Sequence, residues 1–201
     1  FPGTAGTCAV TLAAAGSCDI DIEFAPTSTG LLADTISIQY NNGATVVTSD
    51  RDVQGTGLAA ALLTISDGPG NFDYATVPTG STNAKTFTVS KGGGSPATGL
   101  AGSGLGAPFT FASGSYPGGG TCGASIAAAG NCTIVVEYVP TLVNAPDNDT
   151  ILIDYTDGAA SQQSTRDVTG GAVAPALITI TDSDPYDFGT LATSSSAVRI
   201  F

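Results

Sequence analysis

The sequence predicts an all-β fold made of tandem β-sandwich units of about 114 residues, each holding one disulfide. Three observations predict it. Residues 7–24 (TCAVTLAAAGSCDIDIEF) return as residues 121–138 (TCGASIAAAGNCTIVVEY), so the chain repeats itself. Short runs that alternate apolar and polar residues are divided by clusters of Gly, Pro, Asn and Asp. The four cysteines form two pairs of equal spacing, Cys8 with Cys18 and Cys122 with Cys132, set 114 residues apart.

The elements follow in order. Cys18, Ile20, Ile22 and Phe24 alternate with Asp19, Asp21 and Glu23, which predicts a strand with one buried and one wet face. Cys132, Ile134, Val136 and Tyr138 repeat that inward set. Pro26 and Pro140 end these strands, because proline has no N–H to give to a ladder. Residues 34–40 (DTISIQY) then match 149–155 (DTILIDY), with Ile36, Ile38 and Tyr40 expected on one face. Asn42-Gly43 and Asp157-Gly158 are strong signals for tight hairpins. The returning strands carry RDVQGTG from Arg51 and RDVTGGA from Arg166. ALLTISD from Ala61 matches ALITITD from Ala176, and FDYATVPTGST from Phe72 matches YDFGTLATSSS from Tyr186. Seven or so strands in about 114 residues fit an immunoglobulin-like sandwich.

Phe201 aligns with Phe87, and Phe1 with Tyr116. The expected organisation is therefore the C-terminal half of one repeat at 1–58, a complete repeat at 59–172 and the opening strands of the next at 173–201. On that reading the sequence is a window on a longer array, and any export signal, anchor or sorting tail is expected outside it.

Composition narrows the function. A net charge of −12 and a pI near 4.1 disfavour nucleic acid, whose phosphates need a basic surface. No apolar run approaches the roughly 18 residues of a membrane span, so direct membrane insertion is not expected. Fifteen Asp against two Glu favour turns over helices. The chain has no His, which removes the usual general base and most transition-metal sites, and the only lysines are Lys85 and Lys91. No catalytic residue is expected, and no enzyme.

The residues resemble a known group. The pattern TC, LAAAGSC, alternating strand and Pro-Thr, followed by V-x-G-T-G, L-x-I and F-x-Y-x-T-V-P-T-G-S, is similar to bacterial choice-of-anchor D immunoglobulin-like repeats, related to the HYDIN/ASPM/SPD-2-type domain. The Gly-rich stretch 92–123 is especially similar to secreted versions. The resemblance spans essentially the whole chain and implies spacers and adhesive stalks. Two steps depart from it: Thr169-Gly170-Gly171 replaces the closing Gly55-Thr56-Gly57, and Tyr74-Ala75 replaces the Phe-Gly step kept at Phe188-Gly189.

Among candidate sites, the C-x9-C spacing predicts Cys8–Cys18 and Cys122–Cys132 disulfides, since zinc prefers closer cysteines with added ligands. Closing a loop of that size adds about 2–3 kcal/mol in the chain-entropy model and calls for an oxidising compartment. Asp19, Asp21 and Glu23 are spaced for one strand face, where a solvated surface is the expected role. Calcium is the one cofactor with a candidate site: Asp67 with Asp73, and Asp182, Asp184 and Asp187, sit on turns that also occur without metal. Arg51 and Arg166 are expected in a salt bridge or stacked on Tyr40 and Tyr155. Asn131 and Asn148 open N-glycosylation sequons, the second expected in a loop.

These readings converge on a structural segment of an extracellular or cell-surface bacterial fibre or stalk. Its expected partners are neighbouring repeats and other copies of the chain, as a homopolymer. Rival readings are an adhesin, with candidate contact regions at 92–120 (Phe109, Phe111, Tyr116) and 142–150, and the spacer of a large exported protein.

Overall fold

The computed structural model describes residues 1–143 and 146–201, and among them the chain is all-β. The strands are β1 (Gly30–Asn41), β2 (Val46–Gly57), β3 (Leu62–Ile65), β4 (Phe72–Pro78), β5 (Asn83–Gly92), β6 (Ala97–Ser103), β7 (Phe109–Phe111), β8 (Ser125–Ile126), β9 (Asn131–Tyr138), β10 (Asp147–Thr156) and β11 (Ser161–Val173). A 3-10 turn, Ala112–Gly114, follows β7.

Two sheets enclose the core. One has the order β4-β11-β10-β6-β8 and the other β3-β5-β9-β7. Among the described residues the pairings in these sheets are antiparallel except β4 with β11, which is parallel, so the edge strand β4 runs in the same direction as its neighbour. Alternation selects the inward residues: Cys132, Ile134, Val136 and Tyr138 of β9 are all buried, as the pattern predicts. They meet Ile151, Ile153 and Tyr155 of β10 and Val168 of β11 from the facing sheet, with Phe87 and Val89 of β5 beside them. Aromatic rings close the centre, with Phe109 stacked on Tyr138 at 4.8 Å between ring centres.

The flanking segments are folded differently. Residues 30–57 form the hairpin β1–β2, a separate two-stranded sheet. Residues 17–24 repeat β9 in sequence, yet they and residues 174–201 carry no strand ladder. An extended segment becomes a strand only when a partner takes its N–H and C=O groups in a ladder, and residues 17–24 make only isolated backbone bonds to 2–8, such as Thr7 N–H to the Asp19 carbonyl at 2.9 Å.

Hairpins stand where Asn-Gly and Asp-Gly predict them, joining β1 to β2 and β10 to β11. Asn41 pairs with Val46, and Asn42 N–H donates to the Thr45 carbonyl at 3.1 Å, leaving a four-residue loop. Asn42 Oδ1 accepts from the N–H groups of Ala44 and Thr45, both at 2.9 Å. Asp157 does the same for Ala159 and Ala160, both at 2.8 Å. The side-chain acceptor, with Gly43 or Gly158 at positive φ, organises the loop. Asn148 lies inside β10 and Asn131 at the start of β9, so the second sequon is on a strand and not in a loop.

Candidate functional site

Both predicted disulfides are present, Cys8–Cys18 and Cys122–Cys132, each with its Cα atoms 4.8 Å apart. Their surroundings repeat. Thr133 N–H donates to Thr121 Oγ1 at 3.0 Å beside one bridge, and Asp19 N–H donates to Thr7 Oγ1 at 2.9 Å beside the other. Val135 N–H reaches the Pro117 carbonyl and Asp21 N–H the Pro2 carbonyl, both at 2.9 Å. Thr150 Oγ1 donates to Asp167 at 2.7 Å, as Thr35 Oγ1 does to Asp52 at 2.8 Å.

The acidic loops are arranged around cations of the chain itself. Asp67 pairs with Lys85 Nζ at 3.1 Å, and Lys85 lies 4.7 Å from the centre of the Phe72 ring. Asp182 takes Arg199 in a two-point contact at 2.9 and 3.0 Å, and that guanidinium lies over Tyr186. The hydrogen bond from Lys85 is the main cause holding the Asp67 carboxyl below its ordinary range, and Asp182 pushes Arg199 up. Asp73 and Asp187 accept backbone N–H groups two residues on, from Ala75 and Gly189, while Asp184 stays exposed. Among the described residues, no three His, Cys, Asp or Glu side chains converge as a metal site would require. Sequence reading missed these ion pairs. The recurring signal was a carboxylate before and a cation after the aromatic strand in both copies, Asp67 with Lys85 and Asp182 with Arg199.

Other sequence candidates fall apart in space or serve packing. Asp19, Asp21 and Glu23 are exposed, and Asp21 accepts from the Ala5 N–H at 3.2 Å. Phe109 and Phe111 are buried in the core, and Tyr116 packs edge-on to Phe111 at 5.7 Å, so this aromatic group supports the interior. The region 142–150 lies partly outside the described residues. Among the described residues Arg166 makes neither a salt bridge nor a stack on Tyr155: it is buried, and its Nε and Nη2 have no hydrogen-bond partner there. A helix long and apolar enough to cross a membrane is absent among the described residues.

What the structure does present is apolar surface at both ends. Ile22 and Phe24 are 53% and 51% exposed, whereas their counterparts Val136 and Tyr138 are fully buried. Ile178 and Phe201 are 92% and 61% exposed, against 3% for Leu63 and none for Phe87. The local packing is nonetheless retained. A Cβ on Gly55 would lie 2.6 Å from the Phe24 ring, and one on Gly170 would lie 2.7 Å from Tyr138, so both rings lie flat on a glycine of the returning strand. Tyr186 meets Phe188 and Phe201 edge-on at 5.1 and 5.2 Å, as Phe72 meets Tyr74 and Phe87 at 5.0 and 5.3 Å.

No protein-family model and no curated protein matches the chain. Solved structures that are similar include a protein of unknown function from Porphyromonas gingivalis, at 12% identity and a TM-score of 0.44, covering 72% of this chain and 67% of that one. The VesB protease of Vibrio cholerae follows at 15% identity and 0.40, covering 54% and 31%. A family 123 glycoside hydrolase from Clostridium perfringens follows at 8% and 0.38, covering 58% and 27%. The chain thus spans less than a third of the latter two, and likeness at this level carries no functional argument.

Proposed function

We propose that this chain is a segment of a tandem immunoglobulin-like repeat array that serves as a non-catalytic extracellular or cell-surface fibre or stalk, of the bacterial type its sequence resembles. In this reading residues 59–172 are one complete repeat, 1–58 the second half of the repeat before it and 173–201 the opening of the repeat after it. The observation that carries the proposal is the recurrence of individual contacts: the disulfide turn, the threonine bond beside it, the Thr–Asp cross-strand bond and the cation-aromatic cluster each occur twice. A fold that repeats at that level is suited to length. The disulfides, the absence of His and the exposed placement of the paired carboxylates support a durable extracellular material.

Electron microscopy of the native, full-length protein on cells and in the shed fraction tests this. Thin fibres with an axial period of one or two sandwich lengths, each roughly 35–45 Å for strands of about ten residues, are the expected result. Compact particles, or a globular head on a short stem, would refute it. The adhesin reading gains no support from the aromatic residues at 109–116, which are spent on the interior.

A further inference from the structure

We infer that the buried guanidinium of Arg166 is a binding site for a small free carboxylate, whose two oxygens take its Nε–H and Nη2–H side by side. The inference goes beyond the fibre reading and does not depend on it.

The site arises in the central sandwich, where the edge of the chain changes sheets. β3 belongs to one sheet and β4 to the other, and residues 66–71 cross between them. β11 runs past both. Ser164 Oγ donates to the Leu63 carbonyl of β3 at 3.1 Å, and Val168 pairs with Phe72 of β4. Arg166 falls midway between these two contacts, on the same buried face of the strand. It therefore meets the crossing segment in place of a strand. Gly68 of that segment lies over the guanidinium, since a Cβ there would be 3.0 Å from Nη1.

Charge is unbalanced at this point. Arg166 is 7% exposed, and its Nε and Nη2 are buried with no hydrogen-bond partner among the described residues. Asp67, on the crossing, is already held by Lys85 Nζ at 3.1 Å. Asp167 projects to the opposite face, where Thr150 Oγ1 donates to it at 2.7 Å. The cross-strand neighbour of Arg166 on β10 is Ile151. Two cations thus share one carboxylate, and the guanidinium has been taken out of water without a counter-ion. An anion that supplies one offsets a desolvation cost the fold already bears.

The chemistry of the donors selects the anion. Nε–H and Nη2–H lie along one edge of a rigid planar fork and match the two oxygens of a carboxylate. Chloride carries the same charge but no such pair. Both donors are closed off from bulk water, so entry requires the crossing to shift, which restricts the ligand to small anions. Gly68 and Gly70 leave little side-chain bulk on that path.

The test titrates the whole 201-residue chain with sodium acetate against sodium chloride, at constant ionic strength and pH 7. Acetate should raise the thermal midpoint saturably, by about 5 °C at ten times its Kd. Chloride should leave the midpoint unchanged. Arg166→Lys keeps the charge but loses the fork, and should lose the saturable rise. An acetate response no larger than that of chloride, or one that persists in Arg166→Lys, would overturn the inference. A second readout needs no variant: the Arg166 Nε–H resonance should move with acetate along the same saturation curve. The exposed Arg51 and Arg199 serve as internal controls whose resonances stay in place. A fixed Arg166 resonance, or equal movement of all three, would contradict the site while leaving the fibre images untouched.

Discussion

The central sandwich and the first 58 residues use one sequence pattern and reach different ends. Both hold a disulfide turn, a four-residue hairpin loop organised by Asn42 or Asp157, and an aromatic ring laid on a glycine. Only the central copy buries the apolar stripe that runs between them. Turns, caps and staples are local and form wherever their residues are present. A hydrophobic core is not local, since both sheets need strands from residues 61–103, β3 and β5 beside β9 and β4 and β6 beside the β10–β11 hairpin. The difference separates what specifies the elements from what stabilises them.

The largest expected effect comes from removing the same ring on each side of that comparison. Phe87→Ala leaves a void in a closed core and should cost about 3–5 kcal/mol, read as a lower midpoint in urea. Phe201→Ala removes its exposed counterpart and should leave the midpoint of dilute protein unchanged. Equal losses would mean that the C-terminal segment is already buried.

Opening the disulfides sharpens the comparison next. Cys122→Ala/Cys132→Ala should lower the stability of the sandwich by about 2–3 kcal/mol. Cys8→Ala/Cys18→Ala should leave the sandwich midpoint where it is while amides in 1–24 exchange faster. Protection factors by hydrogen exchange separate the two.

Arg166 distinguishes the copies in the opposite sense, being buried where Arg51 is exposed. A buried guanidinium with unpaired Nε and Nη2 costs free energy, so Arg166→Met should be neutral or stabilise by about 1–2 kcal/mol. Arg51→Met should do nothing measurable.

The smallest effect is the pH dependence. Lys85, and to a lesser degree Ser66, lower the Asp67 carboxyl, while backbone N–H groups of Ala160 and Ala159 lower Asp157. A depressed folded-state pKa contributes stability above the unfolded value of roughly 4 and loses it as the pH falls through the folded value. Thermal midpoints should therefore drop below about pH 4, and Asp157→Asn should flatten part of that drop.

Much of this architecture was legible in the residues. The period-2 stripe at Cys132, Ile134, Val136 and Tyr138 reads directly as a buried face, and the two C-x9-C pairs read as hairpin staples. Strand pairing at 17–24 was not legible, because alternation reports the face of a strand and not whether a partner lies beside it. The Gly-rich run before β7 concealed core residues Phe109 and Phe111, since glycine clusters read as loop. Gly102 is there because Phe111 and Tyr116 pack onto its backbone. The Asp67–Lys85 and Asp182–Arg199 pairs escaped notice because nothing local marks two charges so far apart in sequence as spatial neighbours. Acidic loop residues alone resemble a calcium site and a salt bridge equally.

Hydrogen exchange of the 201-residue chain, read by mass spectrometry, tests the central claim most directly. The account predicts strong protection in β3–β11 and weak protection at 17–24, which repeats β9 in sequence without its strand ladder. Protection at 17–24 equal to that of β9 would contradict it.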